Sequence, residues 1–253
     1  MEEIKNVIHS FLEPFVADEN FQAAVLTGSY AQGNQNKYSD IDIFIISSDE
    51  LNWRERGSRI ISNYVIEYFI NPPKIIFKEL EEINFYGMAT VLMIANSKEL
   101  FDKTGIIKKM KEKASKVINN PVTPIGDFEV EMIKYYLNYY FNQLERAYEN
   151  NYNEFLFLYY AYLEYVIYSY GKHKGIILPA KVKIYQYIFD VNYCLNKDLE
   201  KINDKKFLEI LKKCMTNDKK EIMLKNITEL KDYLLKSVGG STLNGWKIRS
   251  EIK

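Results

Sequence analysis

Strand patterns stop at residue 126. Beyond PVTPIG (121–126), residues 127–149, 154–171, 179–190, 198–214 and 218–237 all repeat apolar positions at helical spacing. Before it, helical and period-two segments alternate. The chain therefore divides at about residue 124 into an α/β half and an all-α half, with PVTPIG as the linker. In the first half, residues 3–17 read as an amphipathic helix. FQAAVLT (21–27), DIDIFII (40–46) and NYVIEYFI (63–70) read as strands. NPPKIIFKELEEINF (71–85) reads as a helix opened by proline, which a first helical turn tolerates. TVLMIANSKELFDKTG (90–105) holds a segment that fits helix or strand, then a short strand near Leu100 and Phe101. GIIKKMKEKASKVINN (105–120) is helical. The polar, arginine-bearing stretch 48–62 carries no period that assigns it.

Composition narrows the class. Apolar residues make up 47% of the 253, enough for a core, and 34 basic residues balance 34 acidic ones. No global field marks a partner of strong charge, so nucleic acid and membrane surfaces are poor partners. The most apolar run, FLFLYYAYL (155–163), is too short to span a bilayer and reads as a buried helix. Residues 1–20 lack the layout of a secretory signal, and Cys194 and Cys214 alone make no disulfide framework. The expectation is a reduced, cytoplasmic protein.

One stretch stands out for chemistry: LTGSYAQGNQNKYSDIDIFII (26–46). Asp40 and Asp42 stand two apart on an apolar strand and project from one face, since strand side chains alternate. An Asp-x-Asp pair alone is also what a strand edge uses to cap a loop or to meet lysines. A divalent cation makes two neighbouring negative charges tolerable, and Mg²⁺ is held by a few carboxylates and substrate phosphates. Gly28 and Ser29 come after a strand and before a helix start, where backbone N–H groups attract phosphate. Glu67 sits inside the apolar run VIEYFI. It faces water in one reading. If its strand lies beside 40–46, it converges on the aspartates.

The order Gly-Ser, then Ser-Asp-x-Asp, then a later acid on a neighbouring strand resembles the DNA polymerase β-like nucleotidyltransferase superfamily, over roughly residues 1–120. The helical half resembles, in kind only, the substrate domain of the aminoglycoside and lincosamide nucleotidyltransferases. The resemblance implies an α+β fold: a catalytic domain with a mixed sheet (1–122), then a helical substrate-binding domain (123–253). It implies that Gly28, Ser29 and Ser39 hold a nucleoside triphosphate, with Lys181 on a helical-domain phosphate contact. Asp40, Asp42 and Glu67 would bind Mg²⁺. The base would be Glu67 or, as in the antibiotic-modifying branch, a helical-domain glutamate such as Glu131. Glu67 departs from the superfamily's commoner aspartate. The implied reaction moves a nucleoside monophosphate, AMP from ATP, to a hydroxyl and releases pyrophosphate.

The helical half bears on the acceptor. Residues 126–171 carry seven acids against two bases, which suits a cationic small molecule and equally describes solvated helix faces. Tyrosine-dense stretches read mostly as core, with room for some rings to line a cleft. Lys181 reads as a phosphate contact or as a surface charge. The rival readings are a protein or RNA acceptor, as for a toxin–antitoxin type AMPylator, and a catalytically silent nucleotide-binding module. A monomer and a homodimer both fit.

Overall fold

The computed structural model describes residues 2–81, 88–119, 125–190, 193, 201–240 and 246–249. The chain divides into two compact units, Met1–Pro121 and Val122–Lys253.

The first unit is built on a five-stranded mixed sheet. Its elements in order are α1 (Glu2–Ala17), β1 (Phe21–Thr27), α2 (Gly28–Gln32), β2 (Ile41–Ser47), β3 (Glu55–Ile61), β4 (Tyr64–Asn71), α3 (Pro73–Glu81), α4 (Met88–Ala95), β5 (Lys98–Asp102) and α5 (Ile106–Asn119). The strands lie in the order β3-β4-β2-β1-β5. Only β2 and β4 run parallel; the other pairs are antiparallel. β2 is central, and Ile41, Ile43, Phe44, Ile45 and Ile46 are all buried, because both faces of the sheet are covered. On one face, Val7, Ile8, Phe11 and Leu12 of α1 pack against Ala24, Leu26, Ile43, Ile45, Ile66 and Ile70. On the other, α4 and α5 pack on β1.

The segment without a readable period resolves into β3, paired with β4 through a hairpin turned at Ser62 and Asn63, both with positive φ (49° and 66°). Two consecutive left-handed residues make the turn type that matches strand twist. β3 is an edge strand and largely exposed, so no apolar alternation marks it.

The second unit holds α6 (Asp127–Glu149), α7 (Phe155–Lys174), a 3₁₀ turn (Lys181–Lys183), α8 (Ile184–Phe189), α9 (Lys205–Thr216) and α10 (Lys220–Ser237). α10 packs on α6, α7 and α9, and α6 packs on α7. Three of the six tyrosines of α7, Tyr159, Tyr162 and Tyr170, are buried in the core. Tyr159 donates to the Cys214 carbonyl (2.8 Å) and Tyr162 to the Leu137 carbonyl (2.9 Å), which satisfies hydroxyls that burial strips of water. Asp204 caps α9 by accepting from the Phe207 amide, and Tyr170 and Tyr233 both donate to its carboxylate.

Several boundaries move. β2 starts at Ile41, so Asp40 stands just before the strand. Residues 201–204 are not helical, and α9 runs from 205 to 216. The expected helix 179–190 is a 3₁₀ turn followed by α8. The linker residues 121–124, the end of the 71–85 helix from residue 82, residues 198–200 and Cys194 lie outside the described residues. Among the described residues no helix is long and apolar enough to cross a membrane.

Candidate active site

The site grows from the C-terminal end of β1, the head of β2 and the middle of β4, three adjacent strands. β1 ends at buried Thr27, whose hydroxyl donates to the Met93 carbonyl of α4 (3.2 Å) and pins the strand end. Gly28 follows with φ +65°, and a Cβ there would lie 1.9 Å from Asp42 Oδ2. Glycine is therefore required twice, by backbone conformation and by the carboxylate seated against it. Ser29 follows in the one-turn helix α2, whose end at Gly33 (φ 73°) returns an amide to the Ser29 carbonyl. The chain then closes a tight polar turn: the Asn36 amide donates to Ser39 Oγ (2.9 Å), and the Ser39 amide donates to the Asn36 carbonyl (3.0 Å). That turn delivers Asp40 to the head of β2.

Register does the rest. Asp42 stands opposite Thr27 on β1 and opposite Glu67 on β4, so Asp42 and Glu67 project from one face of the sheet. Asp40, Asp42 and Glu67, all half-buried, each offer a carboxylate oxygen within 4.8 Å of the others. Three like charges this close need compensation. Burial, then the neighbouring Asp40 and Glu67 carboxylates, push the Asp42 carboxyl up to about 6, and the Arg56 guanidinium opposes them. Arg56, on β3, donates from Nη2 to Glu67 Oε2 (3.2 Å) and lies over the Phe69 ring (4.8 Å to its centroid).

The donor set suits a hard divalent cation. All three groups offer carboxylate oxygens, the hard donors that Mg²⁺ takes. No other cluster of this kind occurs among the described residues.

Gly28, Asp40, Asp42 and Glu67 thus come together, with Ser29 and Ser39 on the adjoining turns. Glu131 and Lys181 belong to the second unit. Glu131, on α6, accepts from Lys134 Nζ on Oε1 (2.7 Å) and from Trp246 Nε1 on Oε2 (3.2 Å). The Lys134 hydrogen bond holds its carboxyl below the usual range. Trp246 stacks on Tyr135, ring centroids 4.7 Å apart. Lys181 is exposed on its 3₁₀ turn, with Glu164 3.9 Å away. Sequence reasoning missed Arg56. Its only signal was the charged run RER (54–56), which has no meaning until β3 and its register are known.

Comparison with known proteins gives the frame. No curated protein matches the chain. Among solved structures, a nucleotidyltransferase-like protein from Exiguobacterium sibiricum is similar at a TM-score of 0.50 and 9% identity, over 92% of this chain and 75% of that one. At that identity the likeness concerns the fold alone. The model of the nucleotidyltransferase domain matches residues 11–139, about half the chain, covering the whole acidic cluster and running on into α6. The chain therefore belongs to the nucleotidyltransferase domain family and is a nucleotidyltransferase.

Proposed function

We propose that the enzyme moves AMP from ATP to a hydroxyl of a small cationic molecule, of the aminoglycoside or lincosamide antibiotic class, with Mg²⁺, and releases pyrophosphate. The observation that carries this reading is the convergence of Asp40, Asp42 and Glu67, with Gly28 stripped of a side chain where Asp42 seats. Asp40, Asp42 and Glu67 hold the cation, which when bound neutralises charge on the phosphates and polarises the reacting phosphoryl group. The Gly28 backbone, the hydroxyls of Ser29 and Ser39, and Lys181 hold the triphosphate. Ser39 Oγ accepts the Asn36 amide, which leaves its own proton free to donate. The acceptor oxygen attacks the α-phosphorus, the bond to pyrophosphate breaks, and the hydroxyl proton passes to a carboxylate. Glu131 is one base proposed for that proton, although the hydrogen bonds from Lys134 and Trp246 that hold its carboxyl low also reduce its basicity. Glu67 is the other base open to this chemistry.

The helical unit, with its acidic first part, binds the acceptor, and the fold works in the cytoplasm. The acidic character of residues 126–171 supports a cationic acceptor over an RNA one.

The test is pyrophosphate release from ATP, GTP, CTP and UTP with Mg²⁺ against aminoglycosides and lincosamides, with Asp42→Asn as blank. Acceptor-dependent release with ATP, lost in the blank, is the expected result. Release with no small molecule overturns the acceptor class. Glu131→Gln assigns the base: loss of kcat with Mg·ATP binding kept makes Glu131 the base, and kcat kept leaves the proton to Glu67.

A further inference from the structure

β3 contributes a group to the site that neither motif nor strand pattern announces. Arg56 stands opposite Phe69 in the β3–β4 register, and Glu67 is the diagonal neighbour on the same sheet face. The guanidinium rests on the Phe69 ring, and Phe69 stacks on Phe44 of β2 (6.2 Å between centroids), two residues along the face from Asp42. An aromatic shelf thus places one positive charge at the rim of three carboxylates. Its Nη2 takes Glu67 Oε2, the third of the proposed metal ligands. The arginine side chain is 70% exposed and the glutamate 33%, so the guanidinium can swing while the ring beneath it stays put.

Resting on the reading of the acidic cluster as a metal–nucleotide site, we infer that Arg56 is a positioning residue with two partners in turn. Without cation it stands in for the metal, holding Glu67 in place beside Asp42. With cation and nucleotide bound, a guanidinium beside a divalent charge is repelled, while a triphosphate offers several anionic oxygens within reach. Arg56 then releases Glu67 and donates to a phosphate oxygen. The planar guanidinium fork suits both carboxylate and phosphate, so one side chain serves both states.

The experiment compares the full-length wild type, Arg56→Gln and Arg56→Lys by electron paramagnetic resonance titration of Mn²⁺ alone, then by equilibrium dialysis of Mn·ATP. Removing a nearby, partly screened positive charge is expected to tighten Mn²⁺ binding in Arg56→Gln about three- to tenfold. The same variant is expected to weaken Mn·ATP about tenfold, through loss of one charge-assisted phosphate contact. Arg56→Lys keeps the charge, so its Mn²⁺ affinity stays near wild type, and only its Mn·ATP affinity falls. A merely structural arginine would not raise metal affinity when removed. Unchanged or weaker Mn²⁺ binding in Arg56→Gln, or unchanged Mn·ATP binding, overturns the inference and leaves the site reading standing. Wild type that binds no Mn²⁺ overturns both.

Discussion

Replacing Asp42 by asparagine is expected to stabilise the metal-free protein while removing its cation response. The folded carboxyl titrates at about 6 against an ordinary value of 3.8. As pH rises from 3.8 to 6, the unfolded chain ionises here before the native state does. Stability is therefore lost through that window and stays lost above it. The gap between 3.8 and about 6 corresponds to ~3 kcal/mol at ~1.36 kcal/mol per pH unit. Asp42 is only part-buried, and solvent screening reduces the figure to about 1–2 kcal/mol. The asparagine variant escapes that repulsion, so in EDTA at pH 8 it should melt higher, by ~4 °C per kcal/mol for a unit of this size. The gain should vanish as pH falls below about 4, where both native and unfolded Asp42 are protonated. Saturating Mg²⁺ should reverse the order, because only the wild type binds the cation in its native state. Thermal melts at several pH values, with and without Mg²⁺, read all three effects. A metal-free asparagine variant no more stable than wild type at pH 8, or a gain that ignores pH, refutes the reasoning.

Gly28→Ala should fold less stably by about 1–3 kcal/mol, since alanine is strained at positive φ; its Cβ should also drive Asp42 aside, so its Mg²⁺ affinity, measured by titration calorimetry, should fall sharply. Asp204→Ala removes a helix cap and strands two tyrosine hydroxyls, at a cost of about 2–4 kcal/mol in urea unfolding. Burial pushes the Asp204 carboxyl up, but hydrogen bonds from the Phe207 amide, Tyr233 and Tyr170 outweigh it and set it below its usual range. The wild-type advantage should accordingly be full at neutral pH and shrink in acid as that carboxyl protonates. Burial pushes the Cys214 thiol up to about 12, so labelling of its peptide by a thiol reagent at pH 8 should wait on unfolding; rapid native-state labelling contradicts that.

What the sequence disclosed followed from local chemistry. DIDIFII reads as a strand because its apolar positions are all isoleucine or phenylalanine, which favour a pleated, buried surface, and the Gly-Ser and Asp-x-Asp order survives any uncertainty in topology. α6 was legible to the residue, since its period runs over six turns. Glu67 was legible only conditionally: its place at the site depends on β2 and β4 lying side by side in parallel, which no local pattern encodes. β3 was invisible for two reasons. An exposed edge strand need not alternate, and its turn uses Ser62 and Asn63 where Asn-Gly would have signalled a hairpin. Arg56 was lost with it. The state of Glu131 was equally hidden, because Trp246 reaches it across 115 positions of sequence.

The central claim is that Asp40, Asp42 and Glu67 hold a metal–nucleotide complex. Crystals grown with Mn²⁺ and a non-hydrolysable ATP analogue, measured at the manganese absorption edge, test it most directly. The account predicts an anomalous peak bonded to oxygens of these carboxylates, with the triphosphate running from it to Gly28 and Ser29. Bound nucleotide with its manganese elsewhere, or with these carboxylates unengaged, would contradict it.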